Sequence, residues 1–228
     1  MEYNIKGGNF PVVELSLKPG EKVYCETGAM SWITDGIQMQ TSNKGGVLKG
    51  LGRALSGESF FLNTYTATKE GDYAAFSSQV PGDIIPINVS ETPIIAQKSV
   101  FLVAENSVQH QVNFRKKLRT GFFGGEGFIM QKFYGKGLAF FETDGSVIEK
   151  ELAPGERLRI DTGNVAMFET SVKMDISMVK GFSNMLFGGE GLFLTTLTGP
   201  GKIWLQTMPI SGLADSIIPF IPTSNNNN

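Results

Sequence analysis

The sequence predicts an all-β protein: a three-repeat β-sandwich or double-stranded β-helix in a single domain, with short helical turns. Three observations carry this prediction. Short apolar or alternating runs are separated by Gly-, Pro- and Asn-containing turns, with no strand–helix–strand rhythm. Glycine accounts for 28 of 228 residues, well above the roughly 7% of average usage, and falls between those runs without a Gly-X-Y period. The same words also recur: FGGEG stands at both 123–127 and 187–191, and fixed-interval self-similarity is the mark of a repeated unit.

In chain order, Pro19-Gly20-Glu21 opens PGEKVYCETGAM, and Pro154-Gly155-Glu156 opens PGERLRIDTGNVAM. Each Pro-Gly corner leads into a strand. Val23 and Cys25 face one way, and Leu158 and Ile160 hold the matching places. PGDIIPINVSETP, from Pro81 to Pro93, reads as a weaker third copy. GGEG likewise has an altered third copy at Ser56-Gly57-Glu58-Ser59.

After each of Glu58, Glu126 and Glu190 comes a β-type run: Phe60–Tyr65, Phe128–Tyr134 and Leu192–Leu197. A glycine turn and a second apolar run follow each one: Tyr73–Phe76, Leu138–Phe141 and Ile203–Leu205. That pattern reads as three hairpins. Upstream, apolar residues at helical spacing suggest short helical turns: Val47, Leu48, Leu51, Ala54 and Leu55; Phe114, Leu118 and Phe122; Met178, Val179, Phe182, Met185 and Leu186. The expected core includes Val23, Cys25, Phe61, Phe76, Phe128, Phe140, Leu158, Ile160 and Trp204. One β domain is expected over residues 1–222, with a disordered polar tail at 223–228. The apolar Ile217–Ile221 must pack somewhere, on its own domain or on a neighbouring subunit.

The chemistry candidates are few. A phosphate loop needs a Lys-Ser/Thr ending or a following helix, and neither GGEG loop supplies one. A nucleophilic Cys25 would need a base or a depressed pKa; its counterpart Ile160 marks it instead as a small core residue. The single histidine, His110, alternates with Val108, Val112 and Phe114, a satisfied core or edge position, and one histidine excludes a multi-histidine metal site. Glu58, Glu126 and Glu190 occupy equivalent places, which favours structure over catalysis.

No catalytic residue, metal ligand or cofactor is therefore expected. Those three glutamates and the basic Arg115, Lys116, Lys117 and Arg119 stand as interaction candidates. The basic group next to Phe114, Phe122 and Phe123 gives membrane association a weak case. A net charge of −2 argues against nucleic acid. One cysteine suits a reducing compartment. No signal sequence or membrane-spanning run is visible, and the sequon Asn88-Val89-Ser90 reads as chance, so a cytoplasmic location is expected.

The paired GGEG loops, SGESFF, Glu26-Thr27-Gly28-Ala29-Met30 with Ser31-Trp32, and the Pro-Gly-Glu corners resemble the AIM24 family over about Met1 to Pro209. The resemblance implies a β-helix-like fold of three repeats, related to the tryptophan RNA-binding attenuation protein. It implies no catalytic residues, because that family has none established. Fungal members are mitochondrial and linked to inner-membrane organisation; neither that location nor RNA binding is carried over. The expected role is a non-enzymatic, homo-oligomeric scaffold or interaction protein. A small-molecule or RNA-binding module, or a peripheral membrane protein, is the alternative.

Overall fold

A computed structural model describes residues 1–42, 62–116, 127–178 and 193–221. The described residues are mostly antiparallel β-structure. A first stretch runs β1 (Glu2–Lys6), β2 (Val12–Leu17), β3 (Lys22–Glu26), β4 (Met30–Ile33), β5 (Ile37–Ser42), β6 (Leu62–Ala67) and β7 (Asp72–Ser77). A second runs β8 (Gly82–Asn88), β9 (Ile94–Gln97), β10 (Phe101–Glu105), β11 (Val108–Lys116), β12 (Phe128–Gly135) and β13 (Leu138–Asp144). A third runs β14 (Val147–Leu152), β15 (Arg157–Asp161), β16 (Val165–Glu169), β17 (Lys173–Met178), β18 (Phe193–Thr198) and β19 (Gly201–Gln206). One helix, α1 (Ile210–Ile217), follows.

One pairing rule operates in each stretch. In the first, β7 lies between β2 and β4, and β6 between β3 and β5. In the second, β13 lies between β8 and β10, and β12 between β9 and β11. In the third, β19 lies between β14 and β16, and β18 between β15 and β17. Neighbouring stretches join by the same step: β3 pairs with β10, and β9 with β16. Even the irregularities coincide, with a register shift after Met30, Phe101 and Val165, the first residues of β4, β10 and β16. A bulge at the same place adds local twist where the chain changes sheet.

The Pro-Gly-Glu corners show why those residues stand there. Gly20 and Gly155 sit at φ +87° and +79°, the conformation the third residue of a type II turn requires after proline. The glutamate closes the corner with its side chain: Lys18 N–H donates to Glu21 Oε2 at 2.9 Å, and Ala153 N–H to Glu156 Oε2 at 2.8 Å. Pro81-Gly82 is not a third such corner. It opens β8, which pairs with β13 as β2 pairs with β7, so the segment 89–93 occupies the corner's place in the second stretch.

The hairpin reading also fails. The runs themselves are strands, but β6 and β7 join different partners in different sheets, as do β12 with β13 and β18 with β19. The intervening glycines carry the chain over an arch between sheets. A glycine-punctuated pair of apolar runs looks the same locally in both cases; the partners that decide it lie outside the pair of runs, as β10 does for β13. Phe114 and Met178, expected in helical turns, belong to β11 and β17. The remaining helical-turn residues lie outside the described residues, as do Phe61 and the tail beyond Ile221.

Three apolar clusters form the core. One holds Val13, Leu15, Val23, Cys25, Tyr65 and Phe76 of the first stretch, closed by Leu102, Val103 and Phe140 of the second. The next holds Ile94, Phe101, Phe133 and Phe141, closed by Ala166, Met167 and Trp204 of the third. The last holds Ile160, Val165, Phe168, Leu197 and Ile203, with Ile95, Phe128 and Met130 from the second. Of the expected core, Val23, Cys25, Phe76, Phe128, Phe140, Ile160 and Trp204 are buried, and Leu158 is half-buried.

Candidate functional site

Of the interaction candidates, Glu58, Glu126, Glu190, Lys117 and Arg119 lie outside the described residues. Arg115 and Lys116 end β11. Lys116 does not present its ammonium to solvent alone: Nζ donates to the Ile176 carbonyl at 2.7 Å, tying β11 to β17.

The reactive side chains are built into the packing. Cys25 is fully buried; burial pushes its thiol up to about 12, a bond with Tyr65 pulls back, and the Glu26 charge adds a little. A thiol held so far above neutrality carries almost no thiolate, the nucleophilic form. His110 is half-buried on β11, with Nδ1 at 3.1 Å from the Tyr24 hydroxyl and its ring stacked 5.5 Å from that of Phe133. The Tyr24 hydroxyl in turn lies 3.2 Å from the Val108 carbonyl, and burial raises its pKa.

A cavity of about 200 Å³ lies where the ends of β3 and β13 meet the start of α1, with Glu26, Lys98, Phe101, Glu142, Asp144 and Ile210 in its lining. Loss of water pushes Glu142 up to about 7; a hydrogen bond from Ser78 opposes this, and the Asp144 charge adds to it. Its Oε2 is buried without a hydrogen-bond partner. Asp144 is raised too, chiefly by burial, and accepts the Ile210 N–H at 2.8 Å. Among the described residues, no group of three or more His, Cys, Asp or Glu could hold a metal ion.

The larger feature is a pair of sheet edges. With β1 set aside, the second strand of each stretch is β3, β9 or β15 and the third is β4, β10 or β16. Strands β3 and β9 are each covered by the third strand of the next stretch, but β15 pairs only with β18 among the described residues. At the other end β10 and β16 are each covered by the preceding stretch, whereas β4 pairs only with β7 among the described residues. Burial follows pairing. Trp32 of β4 is 44% exposed, while its counterparts Val103 and Met167, each likewise the first paired residue after the bulge, are 0% exposed. Ser31 is exposed where Leu102 and Ala166 are buried. On the opposite edge, Arg159 is exposed where Tyr24 and Ile95 are buried. Neither Trp32 nor Arg159 stands out as a site in the sequence; the available signal was the break in pattern, arginine where the other two stretches place tyrosine and isoleucine.

The family model described as mitochondrial biogenesis AIM24 matches residues 3–208. The chain belongs to the AIM24 family. An uncharacterized protein of Streptococcus pyogenes serotype M6 is similar at 29% identity over 226 residues, covering 95% of this chain and 89% of the relative. The crystal structure of a Streptococcus pyogenes protein is similar at 27% identity with a TM-score of 0.79, covering 96% of this chain and 99% of that one. The AIM24 match ends near Met208, just before α1, so the exposed Ile217, Ile218, Phe220 and Ile221 lie beyond it.

Proposed function

We propose that this AIM24-family protein is a non-enzymatic scaffold that associates with further copies of itself. The observation that carries the reading is Trp32: a large apolar side chain on a strand with one edge open among the described residues, at a position buried in both other stretches. An open, apolar strand edge is a pairing template, and soluble proteins normally cover or charge such edges. Burial of the thiol of Cys25 and the engagement of His110 with Tyr24 support a structural role for both. A buried, unpaired cysteine fits a reducing, cytoplasmic setting. No described helix is long and apolar enough to cross a membrane.

The experiment is the native mass of the purified chain at micromolar concentration. A mass several times the 24.8 kDa of one chain is expected, and a monomer contradicts the proposal.

A second reading, small-molecule binding, is favoured by the cavity at Glu142. Its buried, unpartnered oxygen suits a ligand that donates a hydrogen bond, such as a small amine or alcohol. A thermal-shift screen of such compounds tests it. A shift that is abolished by Glu142→Gln supports the reading, and no shift at millimolar ligand removes it.

A further inference from the structure

We propose that the cavity at Glu142 binds a small primary ammonium, held by Glu142 Oε2 and the Ser99 carbonyl. This rests on the second reading above and narrows its ligand from any hydrogen-bond donor to a cation. The internal repeat shows what this place holds elsewhere in the chain. Phe140 lies opposite Val103, and Trp204 opposite Met167, so two residues further on Glu142 of β13 and Gln206 of β19 occupy the same position. The corresponding 3-10 turns are Lys98–Val100 and Thr162–Asn164, with Ser99 and Gly163 at their centres.

Gln206 uses both ends of its amide. Oε1 accepts the Asp144 N–H at 3.2 Å, and Nε2 donates to the Gly163 carbonyl at 2.8 Å. Glu142 repeats the first bond, accepting from the backbone of Gln79, which holds the place of Asp144 in the first stretch. It cannot repeat the second as a carboxylate. Where the amide has a donor, Glu142 has Oε2, buried and without a hydrogen-bond partner. The place of Gly163 is taken by Ser99, which lines the cavity. By this correspondence two acceptors face each other, and a donor between them satisfies both: a proton on Oε2, or the N–H of a ligand.

The lining selects a cation. Its ionisable side chains are Glu26 at the end of β3, Lys98 of the turn, and Glu142 and Asp144 of β13, three carboxyl groups against one amine. A protonated primary amine carries three N–H donors, enough for both oxygens and a neighbouring carboxylate, where an alcohol carries one. Val80, Phe101 and Ile210 offer apolar surface to a short alkyl chain, and a volume of about 200 Å³ suits a ligand of a few heavy atoms. Burial first, and then the Asp144 charge, hold the Glu142 carboxyl up at about 7. A bound cation favours the ionised carboxylate and displaces its proton, so binding strengthens as pH rises. Asp144, raised chiefly by burial, acts in the same direction.

The test is calorimetric titration of the full chain with ethylammonium at pH 5.5 and pH 8, with ethanol as the uncharged comparison. Ethylammonium should bind saturably, roughly tenfold or more tightly at pH 8 than at pH 5.5, and ethanol should not bind. Glu142→Gln, whose amide can serve Ser99 as Gln206 serves Gly163, should keep its β-type circular dichroism and bind no ethylammonium. Undiminished binding in that folded variant overturns the site. Ethanol binding as well as ethylammonium, or ethylammonium binding without pH dependence, overturns the ammonium assignment and leaves the small-molecule reading standing. Both of these comparisons use the unmodified chain and need no variant to fold. No binding of either compound at millimolar concentration, by calorimetry and by thermal shift, overturns both.

Discussion

The backbone N–H of Leu138 donates to Oε2 of Glu105 at 2.9 Å, so the last residue of β10 catches the first N–H of β13, its neighbour in the same sheet, where the chain comes off the arch from β12. The same contact recurs where the Lys202 N–H meets Glu169 Oε2 at 3.1 Å, and where the Tyr73 N–H meets Thr34 Oγ1 at 3.1 Å. Gly137, one residue before Leu138, sits at φ +115°, and a Cβ there would overlap the Glu105 carboxylate.

This arrangement predicts coupled substitutions. Glu105→Ala should lower stability by about 1–2 kcal/mol, the range for a charge-assisted bond to a half-buried donor. Gly137→Ala should cost about 2 kcal/mol or more, from backbone strain and displacement of the carboxylate. Since the second change already dislodges Glu105, the double variant should fall short of the sum by about 1 kcal/mol. Urea unfolding of all four proteins measures this, and full additivity would show that the glycine and the glutamate act independently.

Glu142 predicts a pH dependence of stability. Its folded pKa of about 7 lies above the ordinary glutamate value of 4.5, so its contribution is fully present below about pH 4.5 and is lost as pH rises through about 7. The loss integrates to about 3 kcal/mol. Glu142→Gln should flatten the slope between those values and raise the melting temperature at pH 8. Gln206, at the corresponding end of β19, shows an amide accommodated in such a place: Nε2 donates to the Gly163 carbonyl at 2.8 Å. An unchanged slope in the variant would assign the dependence to the neighbouring Asp144 or elsewhere.

Cys25 should resist thiol reagents in the folded protein and react once it is unfolded, because burial holds the thiol up at about 12. The corresponding strand position in the second stretch is Ala96, also fully buried. Cys25→Ala should therefore fold, at a cost of about 1–2 kcal/mol for the lost packing, without altering the native mass. Rapid labelling under native conditions would contradict the buried assignment.

The all-β class and strand parity were legible in the sequence because they depend on local periodicity. Val108, His110, Val112 and Phe114 alternate in burial along β11 as their spacing requires. The Pro-Gly-Glu corners were legible for the same reason, since turn chemistry is local. Which strands pair was not: the run–glycine–run pattern from Phe128 to Phe141 suits a hairpin and an arch equally, and the deciding partners, β9 and β11 for β12 and β8 and β10 for β13, come from upstream sequence. The open edges were hidden more deeply. Trp32 and Arg159 are ordinary strand residues until the joints at β3–β10 and β9–β16 show what should cover them. The glutamates of the GGEG loops, the most conspicuous words in the sequence, fall outside the described residues.

The central claim, that the open sheet edges carry self-association, is tested most directly by the native masses of the unmodified chain and of Arg159→Pro in the edge strand β15, compared at equal micromolar concentration. The Glu156 carbonyl accepts from Gly199 N–H beside β18, so by alternation Leu158 and Ile160 bond to β18 and the Arg159 N–H points to the open edge; proline removes that N–H and leaves the bonds to β18 in place. The account predicts a multimer for the unmodified chain and a folded monomer, with its β-type circular dichroism retained, for the variant. A monomer for both, or an unchanged multimer in the variant, would contradict it.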